Sequence, residues 1–219
     1  MKNLVLGLGE VGSSVREVLG CEGIDKDAQN IPQADVIHVC FPHSEKFVDI
    51  VNNYALQTKA QLIIVHSTVP VGTCKSIGEH VVHSPIRGKH PRLAESIRTF
   101  VKFFGGSRAQ EAAQIFIDKD VRTLTSPRAE NTEAMKLWDT EIYREAILLN
   151  KKIHQYCVDN GLDFDIVYTQ ANSTYNEGYS KLGFPEYTKY VLKYVEGPIG
   201  GHCVDPNHIL LNKRGVNEK

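Results

Sequence analysis

The chain has 219 residues, a formal net charge of −1, 42% hydrophobic residues and 23% charged residues. These values are typical of an ordinary globular protein, and the near-zero charge gives no reason to expect nucleic acid or an anionic membrane as a partner. No apolar run approaches the roughly 20 residues that a membrane-spanning helix needs, and Lys2 leads directly into a predicted strand rather than into a signal peptide.

The five cysteines and nine histidines are spread along the chain. The cysteines include no C-x-x-C pair, which predicts a reduced, cytoplasmic protein without a disulfide framework. The histidines show no metal-ligand spacing, so we expect them in the core or at the surface and predict no metal site.

A glycine-rich turn follows the first predicted strand, Lys2–Leu6, and opens a helix that extends to Leu19. This is G-x-G-x-x-G in the context of a dinucleotide site. The first glycine makes the turn, the second admits a pyrophosphate to the backbone, and the third lets helix and strand pack closely. The free N–H groups of the helix also favour phosphates. A glycine turn without a ligand is the alternative. The residues assigned here to cofactor binding are Gly7, Gly9, Glu10, Val11 and Gly12.

Asp25 ends the second predicted strand, Cys21–Ile24, at the distance of about 20 residues that is typical of the ribose-binding carboxylate. Such a carboxylate favours NAD over NADP because it repels the 2′-phosphate, although the neighbouring Lys26 weakens this preference. The alternative is that Asp25 only caps its turn. The next segment, Lys26–Gln33, is too short for a crossover helix and a further strand, so we expect a reduced half-domain.

Apolar runs and helical patterns alternate as far as Pro127, which predicts a Rossmann-like, doubly wound and mostly parallel α/β sheet over residues 1–127. Further strands are predicted at Ala34–Phe41, Gln61–Val65, His80–Ser84, Phe100–Gly105 and Val121–Thr125. Helices are predicted after Ser44 as N-cap, around Lys75–Ile77 and at Ala109–Ile117.

Ligands of open α/β sheets lie beyond the carboxyl ends of the strands. Phe41, Pro42, Ser67 and Thr68 follow two of these ends, so we expect them to face the cofactor or the substrate. The alternative is that Ser67 and Thr68 only cap the short helix that follows them.

A basic loop, Pro85–Arg92, follows the next predicted strand. Its residues Arg87 and Lys89 suit an anionic substrate, since cations at this edge of a sheet pair with anions. A solvated loop without a ligand is equally consistent with the sequence.

Residues 128–219 are predicted to form a long helix and a small helical domain. Residues 129–160 contain no proline or glycine and have apolar residues at helical spacing, which predicts one helix of unusual length. Such a helix must bury its apolar stripe. We therefore expect it to connect the nucleotide domain to a small helical domain and to form a dimer interface. A helix at Phe164–Leu182, a short helix or arm at Pro185–Val195 and a last helical turn at His208–Leu211 follow.

Two stretches, together with the glycine turn, carry a resemblance to a known family. The stretches His66-Ser67-Thr68-Val69-Pro70-Val71-Gly72-Thr73 and Gly200-Gly201-His202-Cys203 resemble motifs of the UDP-glucose/GDP-mannose dehydrogenase family, and the resemblance extends to about Leu211. It implies an N-terminal NAD-binding domain, dimerisation through the central helix, and oxidation of a sugar or sugar-nucleotide hydroxyl to a carboxylate in two NAD-dependent steps.

The resemblance also implies roles for particular residues. Cys203 matches the nucleophile that holds the substrate at the aldehyde level, and Lys136 matches the lysine that stabilises the oxyanion. Thr68 matches the threonine that orients the hydrolytic water. Gly200, Gly201 and His202 surround the nucleophile and are assigned to substrate binding.

The chain departs from the family pattern at several acid–base positions. Thr140, assigned to substrate binding, replaces an asparagine, while Ile86 and His90 stand where the family has glutamates. Asn207 replaces the carboxylate four residues after the cysteine, although Asp205 aligns there with a gap. His90 is the candidate replacement base, because an imidazole accepts protons near neutral pH.

Only residues 204–219 follow Cys203, where the family's second nucleotide-binding domain begins. We therefore expect a short form whose substrate is smaller, or whose site is completed by a dimer partner, by the basic loop or by a separate protein. The leading interpretation is an NAD-dependent oxidoreductase that acts on a hydroxyl of a sugar-like molecule. The alternatives are a two-electron hydroxyacid-type dehydrogenase, which needs Lys136 and not Cys203, and a non-catalytic NAD-binding or sensor protein with a decayed site.

Overall fold

The computed structural model describes residues 1–199 and 203–212. The chain folds into two compact units. The first comprises Met1–Trp138 with the segment that starts at Ile209, and the second comprises Asp139–His208.

A seven-stranded sheet forms the centre of the first unit. Its strands are β1 (Asn3–Leu6), β2 (Glu22–Ile24), β3 (Val36–Val39), β4 (Leu62–Val65), β5 (Val81–His83), β6 (Lys102–Gly105) and β7 (Thr123–Ser126). The spatial order is β2-β1-β3-β4-β5-β6-β7. All neighbours are parallel except β5 and β6, so the predicted doubly wound, mostly parallel sheet is confirmed.

Helices cover both faces of this sheet. They are α1 (Glu10–Leu19), α2 (Phe47–Thr58), α3 (Thr73–Ile77), α4 (Leu93–Thr99) and α5 (Ala109–Ile117). Val15, Ile97 and Phe116 belong to the core on one face, and Phe47 and Cys74 belong to the core on the other. These buried contacts explain why short helices of modest intrinsic propensity form here.

Two details of these helices differ from the sequence analysis. The short helix α4 was not predicted, because seven residues give only one repeat of the apolar pattern, Leu93 and Ile97. The prediction that Ser44 caps α2 with its side chain is wrong. The helix begins at Phe47, and Ser44 contributes its backbone carbonyl, which accepts the Phe47 N–H at 3.0 Å.

The reduced half-domain predicted after Asp25 is present. Residues 25–35, all of them described, contain neither a helix nor a strand. β3 pairs directly with β1 on the side opposite β2, which leaves β2 at an edge of the described sheet.

The long helix α6 (Ala129–Asn160) has 32 residues and runs from the first unit into the second. A π-helical segment, Asp165–Gln170, leads into α7 (Ala171–Lys181), and a 3₁₀ turn follows at Pro185–Tyr187. The last described helix, α8 (Val204–Asn212), begins earlier than the predicted turn at His208. Within residues 1–199 and 203–212, no helix combines the length and the apolarity required to cross a membrane.

Side chains fasten the non-helical segment 188–199, which leads towards Cys203. Tyr168 places its hydroxyl between two backbone groups of this segment, donating to the Tyr190 carbonyl and accepting the Leu192 N–H, both at 3.1 Å. Lys151 donates to the carbonyls of Val195 and Gly197 at 2.5 and 2.8 Å. The segment 188–199 is therefore held by α6 and by the π-helical segment.

Candidate functional site

The glycine turn lies between β1 and α1, and its three glycines have different surroundings. Gly7 has a φ of 88°, and a Cβ placed on it would meet backbone and side-chain atoms of Phe41 at 3.2 Å. A Cβ on Gly12 would lie 1.7 Å from the Gly7 carbonyl oxygen. A Cβ on Gly9 would meet nothing within 4 Å. The fold itself thus requires glycine at Gly7 and Gly12, whereas the space beside Gly9 is open, as a site for a pyrophosphate requires.

Asp25 lies beside this turn. Its carboxylate accepts the N–H of Leu8 at 3.4 Å and the N–H of Lys26 at 2.8 Å. Asp25 therefore caps its own turn, and it is also exposed next to the glycine turn. Its binding to a ribose stays a prediction.

The ends of β3 and β4 meet at the same edge of the sheet. The hydroxyl of Ser67 donates to the Phe41 carbonyl at 2.6 Å and is buried, so it ties the two strand ends together. Thr68 is partly exposed and Pro42 is exposed. Neither Ser67 nor Thr68 caps α3, which begins after Gly72 without a side-chain cap from its N-cap residue, so that alternative is wrong.

Glu133 of α6 supplies the missing cap. Its fully buried carboxylate accepts the N–H groups of Gly72 and Cys74 at 2.6 and 2.8 Å. Burial raises the pKa of Glu133, while the two N–H groups lower it. A buried carboxylate between two backbone donors fixes the loop of the S-T-V-P-x-G-T motif to the first turns of α6.

A second buried contact fixes the same turns of α6. The His83 ring bridges the Thr132 hydroxyl, 3.0 Å from Nδ1, and the Ser67 carbonyl, to which Nε2 donates at 3.2 Å. Burial, and to a smaller degree the charges of Lys102 and Lys136, lowers the pKa of His83 to about 3. Lys136 is one helical turn beyond Thr132, close enough for its charge to act on His83.

The basic loop also lies at the glycine turn. Nδ1 of His90 contacts the carboxylate of Glu10, the first residue of α1. Arg87 places its guanidinium over the rings of Phe100 and Phe103, at 6.0 and 5.6 Å, and Lys89 is exposed. The loop therefore makes specific contacts, which the interpretation of a merely solvated loop did not predict.

Three buried polar side chains, His38, His66 and Lys102, form a row across neighbouring strands of the sheet. His38 Nδ1 lies 3.0 Å from His66 Nε2, and His38 Nε2 lies 3.0 Å from Asn3 Oδ1. At the other end, His66 Nδ1 and Lys102 Nζ both donate to the Ser84 carbonyl, at 2.7 and 3.0 Å. Burial lowers the pKa of His38 to about 3 and that of Lys102 to about 7. The sequence analysis did not single out Lys102, whose only signal is a lysine within an apolar strand.

In the second unit, Cys203 is exposed and immediately precedes α8. Its carbonyl accepts the Asn207 N–H at 3.1 Å. The side-chain amide of Asn207 donates to the Thr140 hydroxyl at 3.1 Å. Two residues that depart from the family pattern, Thr140 and Asn207, are thus partners of each other.

The next residue on each helix forms a second pair. His208 Nδ1 lies 2.9 and 3.0 Å from the two carboxylate oxygens of Glu141, which also faces the Arg144 guanidinium at 3.6 Å. No sequence pattern indicates this pair, because its members are 67 residues apart.

The predicted substrate residues Gly200, Gly201 and His202 lie outside the described residues. Among the residues that the structure does describe, no three His, Cys, Asp or Glu side chains come together as a metal site would require.

Comparison with known proteins finds solved structures of similar fold but no match to a protein-family model or to a curated sequence. No protein-family model matches the chain, and no curated protein matches its sequence. The structure of a UDP-D-ManNAc dehydrogenase from Pyrococcus horikoshii superposes with a TM-score of 0.81 at 16% identity, over 100% of this chain and 66% of that one. The chain shares the fold of this structure.

Other solved structures agree. A UDP-N-acetylmannosamine dehydrogenase from Staphylococcus aureus matches with a TM-score of 0.67 at 17% identity, over 96% of this chain and 65% of that one. A 3-hydroxyisobutyrate dehydrogenase from Mycobacterium tuberculosis matches with a TM-score of 0.58 at 15% identity, over 82% and 70%. The chain spans about two thirds of the length of the two UDP-sugar enzymes. At identities this low, the superpositions establish the fold alone. The chemistry must be argued from the residues of this chain.

Proposed function

We propose that the protein is an NAD-dependent oxidoreductase that oxidises a hydroxyl of a sugar or sugar nucleotide, with Cys203 as nucleophile. The observation that carries the cofactor part is the glycine turn, where the position of a Cβ on Gly9 is open while Gly7 and Gly12 are closely packed. The exposed carboxylate of Asp25 beside this turn supports NAD rather than NADP.

The proposed NAD site consists of groups at one edge of the sheet. The backbone of the glycine turn and the N-terminus of α1 would hold the pyrophosphate, and Asp25 would hold the ribose. Phe41, Pro42, Ser67 and Thr68 would line the site beyond β3 and β4. When bound, NAD supplies the acceptor for a hydride.

The catalytic roles follow the family resemblance. Cys203 would hold the acyl group, Lys136 would stabilise the negative oxygen, and Thr68 would orient water. Arg87 and Lys89, with Thr140, Gly200, Gly201 and His202, remain proposed substrate contacts. His90 remains a proposed base for the first oxidation, although its contact with Glu10 gives it a second role in placing the basic loop.

A second candidate function is a two-electron dehydrogenase without a covalent intermediate. The match to a 3-hydroxyisobutyrate dehydrogenase supports it. Cys203→Ala and Lys136→Ala distinguish the two functions. In the covalent mechanism both substitutions abolish complete oxidation, whereas in the two-electron mechanism only the lysine substitution does.

The experiment measures NADH formed from NAD with UDP-N-acetylmannosamine, UDP-glucose or 3-hydroxyisobutyrate as substrate. Two NADH per UDP-sugar support the proposal, and one NADH per 3-hydroxyisobutyrate supports the second candidate. NAD binding without any turnover supports the non-catalytic sensor instead.

A substitution at Gly9 tests cofactor binding separately. The space beside Gly9 is open, and its φ of −62° suits any residue. Gly9→Val should leave the fold intact and abolish NAD binding in calorimetry. Gly178→Val is the matched control, because a Cβ there also meets nothing within 4 Å. Unchanged NAD affinity in Gly9→Val would contradict the proposed site.

We also propose that the protein is a cytoplasmic homodimer that pairs through α6. None of the five cysteines forms a disulfide bond, which suits a reducing compartment. Ile142, Leu149 and Tyr156 form a stripe at seven-residue spacing and are 54%, 57% and 59% exposed. A stripe of this kind is an expected contact between two copies of a helix.

A further inference from the structure

We propose that His208, oriented by Glu141, is the general base for hydrolysis of the acyl group that Cys203 carries. The inference rests on the proposed function, because it assumes that Cys203 becomes acylated. It assigns the proton transfer to a pair of residues that no family motif identifies.

The first support is the geometry of the pair. Both carboxylate oxygens of Glu141 lie within 3.0 Å of His208 Nδ1, and the Glu141 side chain is only 11% exposed while that of His208 is 36% exposed. A carboxylate that accepts the Nδ1 proton fixes the ring orientation and leaves the lone pair on Nε2, the arrangement of a carboxylate-oriented general base.

The second support is the position of the pair relative to Cys203. Cys203 precedes α8 directly, and His208 is five residues further, a rise of about 7.5 Å along a helix axis. Side chains of a helix tilt towards its N-terminus, and this is the end of α8 that Cys203 precedes. A base at this range acts on a water molecule rather than on the thiol itself.

The third support is the register between α6 and α8. The adjacent contacts Thr140–Asn207 and Glu141–His208 join consecutive residues of one helix to consecutive residues of the other. The Asn207 N–H also binds the Cys203 carbonyl, so one small network holds the nucleophile and the base. Asn207 itself carries an amide, which does not accept a proton, so another group must do so.

The proposed step is a hydrolysis and needs no oxidant. His208 Nε2 accepts a proton from water while the water oxygen bonds to the thioester carbon. The bond between that carbon and Cys203 Sγ then breaks, and the carboxylic acid leaves. His208 gives its proton back to water, and the thiolate takes up a proton from water. The products are the acid and the free thiol.

The test uses p-nitrophenyl acetate, which acylates a reactive cysteine without a sugar or NAD. The initial burst of p-nitrophenolate reports acylation, and the following steady rate reports hydrolysis of the acetyl-enzyme. Cys203→Ala should abolish the burst, and peptide mapping should locate the acetyl group on Cys203.

His208→Gln should keep the burst and slow the steady rate by about a hundredfold or more, the usual effect of a lost general base. Acetyl-enzyme should accumulate in its intact mass. Glu141→Gln should retain the imidazole and give an intermediate rate. His80→Gln, at an exposed histidine of the first unit, is the matched control and should resemble the wild type.

The outcomes separate the two proposals. A normal burst with an unchanged steady rate in His208→Gln would overturn the role of His208 and leave the proposed function intact. Absence of a burst in the wild-type protein would overturn both the nucleophilic role of Cys203 and this inference. The burst also verifies folding, because a misfolded variant would not acylate at Cys203 alone.

Discussion

Replacement of Lys102 by methionine should remove a specific pH dependence of stability. Lys102 is 4% exposed, donates to the Ser84 carbonyl at 3.0 Å, and lies 5.4 and 5.1 Å from the ring centres of Phe104 and Phe116. Burial lowers its pKa from 10.5 to about 7. Methionine preserves most of the volume of the side chain and removes the titrating group.

The size of the effect follows from these pKa values. They differ by about 3.5, which at 1.36 kcal/mol per unit is about 5 kcal/mol. Since the folded pKa is the lower one, the unfolded chain binds more protons between pH 7 and 10.5, and stability rises with pH there. The cost of burying the charged lysine is fully present below pH 7. Between pH 6 and pH 9.5 this group should add about 3 kcal/mol to the free energy of unfolding.

The assay is guanidinium unfolding of wild type and Lys102→Met at several pH values. The variant should be more stable than the wild type at pH 6, and the difference should shrink by about 3 kcal/mol by pH 9.5. Lys152→Met, at an exposed lysine of α6, should leave the slope unchanged. Parallel curves for wild type and Lys102→Met would refute the titration of Lys102 in this range.

Three further substitutions test the packing described above. Gly12→Ala should destabilise the fold by about 1–3 kcal/mol in urea unfolding, because its Cβ would lie 1.7 Å from a backbone oxygen. The control Gly178→Ala should not destabilise the fold, since a Cβ there meets nothing within 4 Å. If Gly12→Ala were as stable as the wild type, the turn would have to relax without cost. Glu133→Gln should cost about 1–3 kcal/mol, since an amide satisfies the two N–H groups at the start of α3 less well, and an unaltered melting temperature would contradict this capping role. Leu149→Glu should convert a dimer to a monomer in light scattering without loss of helicity, and a persistent dimer would exclude this face.

The short segment after Asp25 and the Rossmann-like, mostly parallel sheet could be predicted because their signals are local. A glycine turn has a fixed spacing, a strand buried on both faces is continuously apolar, and residues 25–35 are too few for a crossover helix and a strand. Where the local signal was weak, the prediction failed. Only packing on the sheet reveals α4, and the cap of α3 comes from Glu133, about sixty residues away.

The sequence by itself therefore determined most of the strands and helices and the position of the glycine turn. The tertiary structure decided which polar groups meet. Lys102 lies beside His66 because β4, β5 and β6 are neighbouring strands. His208 contacts Glu141 because the first turns of α8 lie against α6 within the second unit. The physical reason is that chain connectivity fixes neighbours along a helix or strand, whereas contacts between distant residues exist only once burial has brought their elements together.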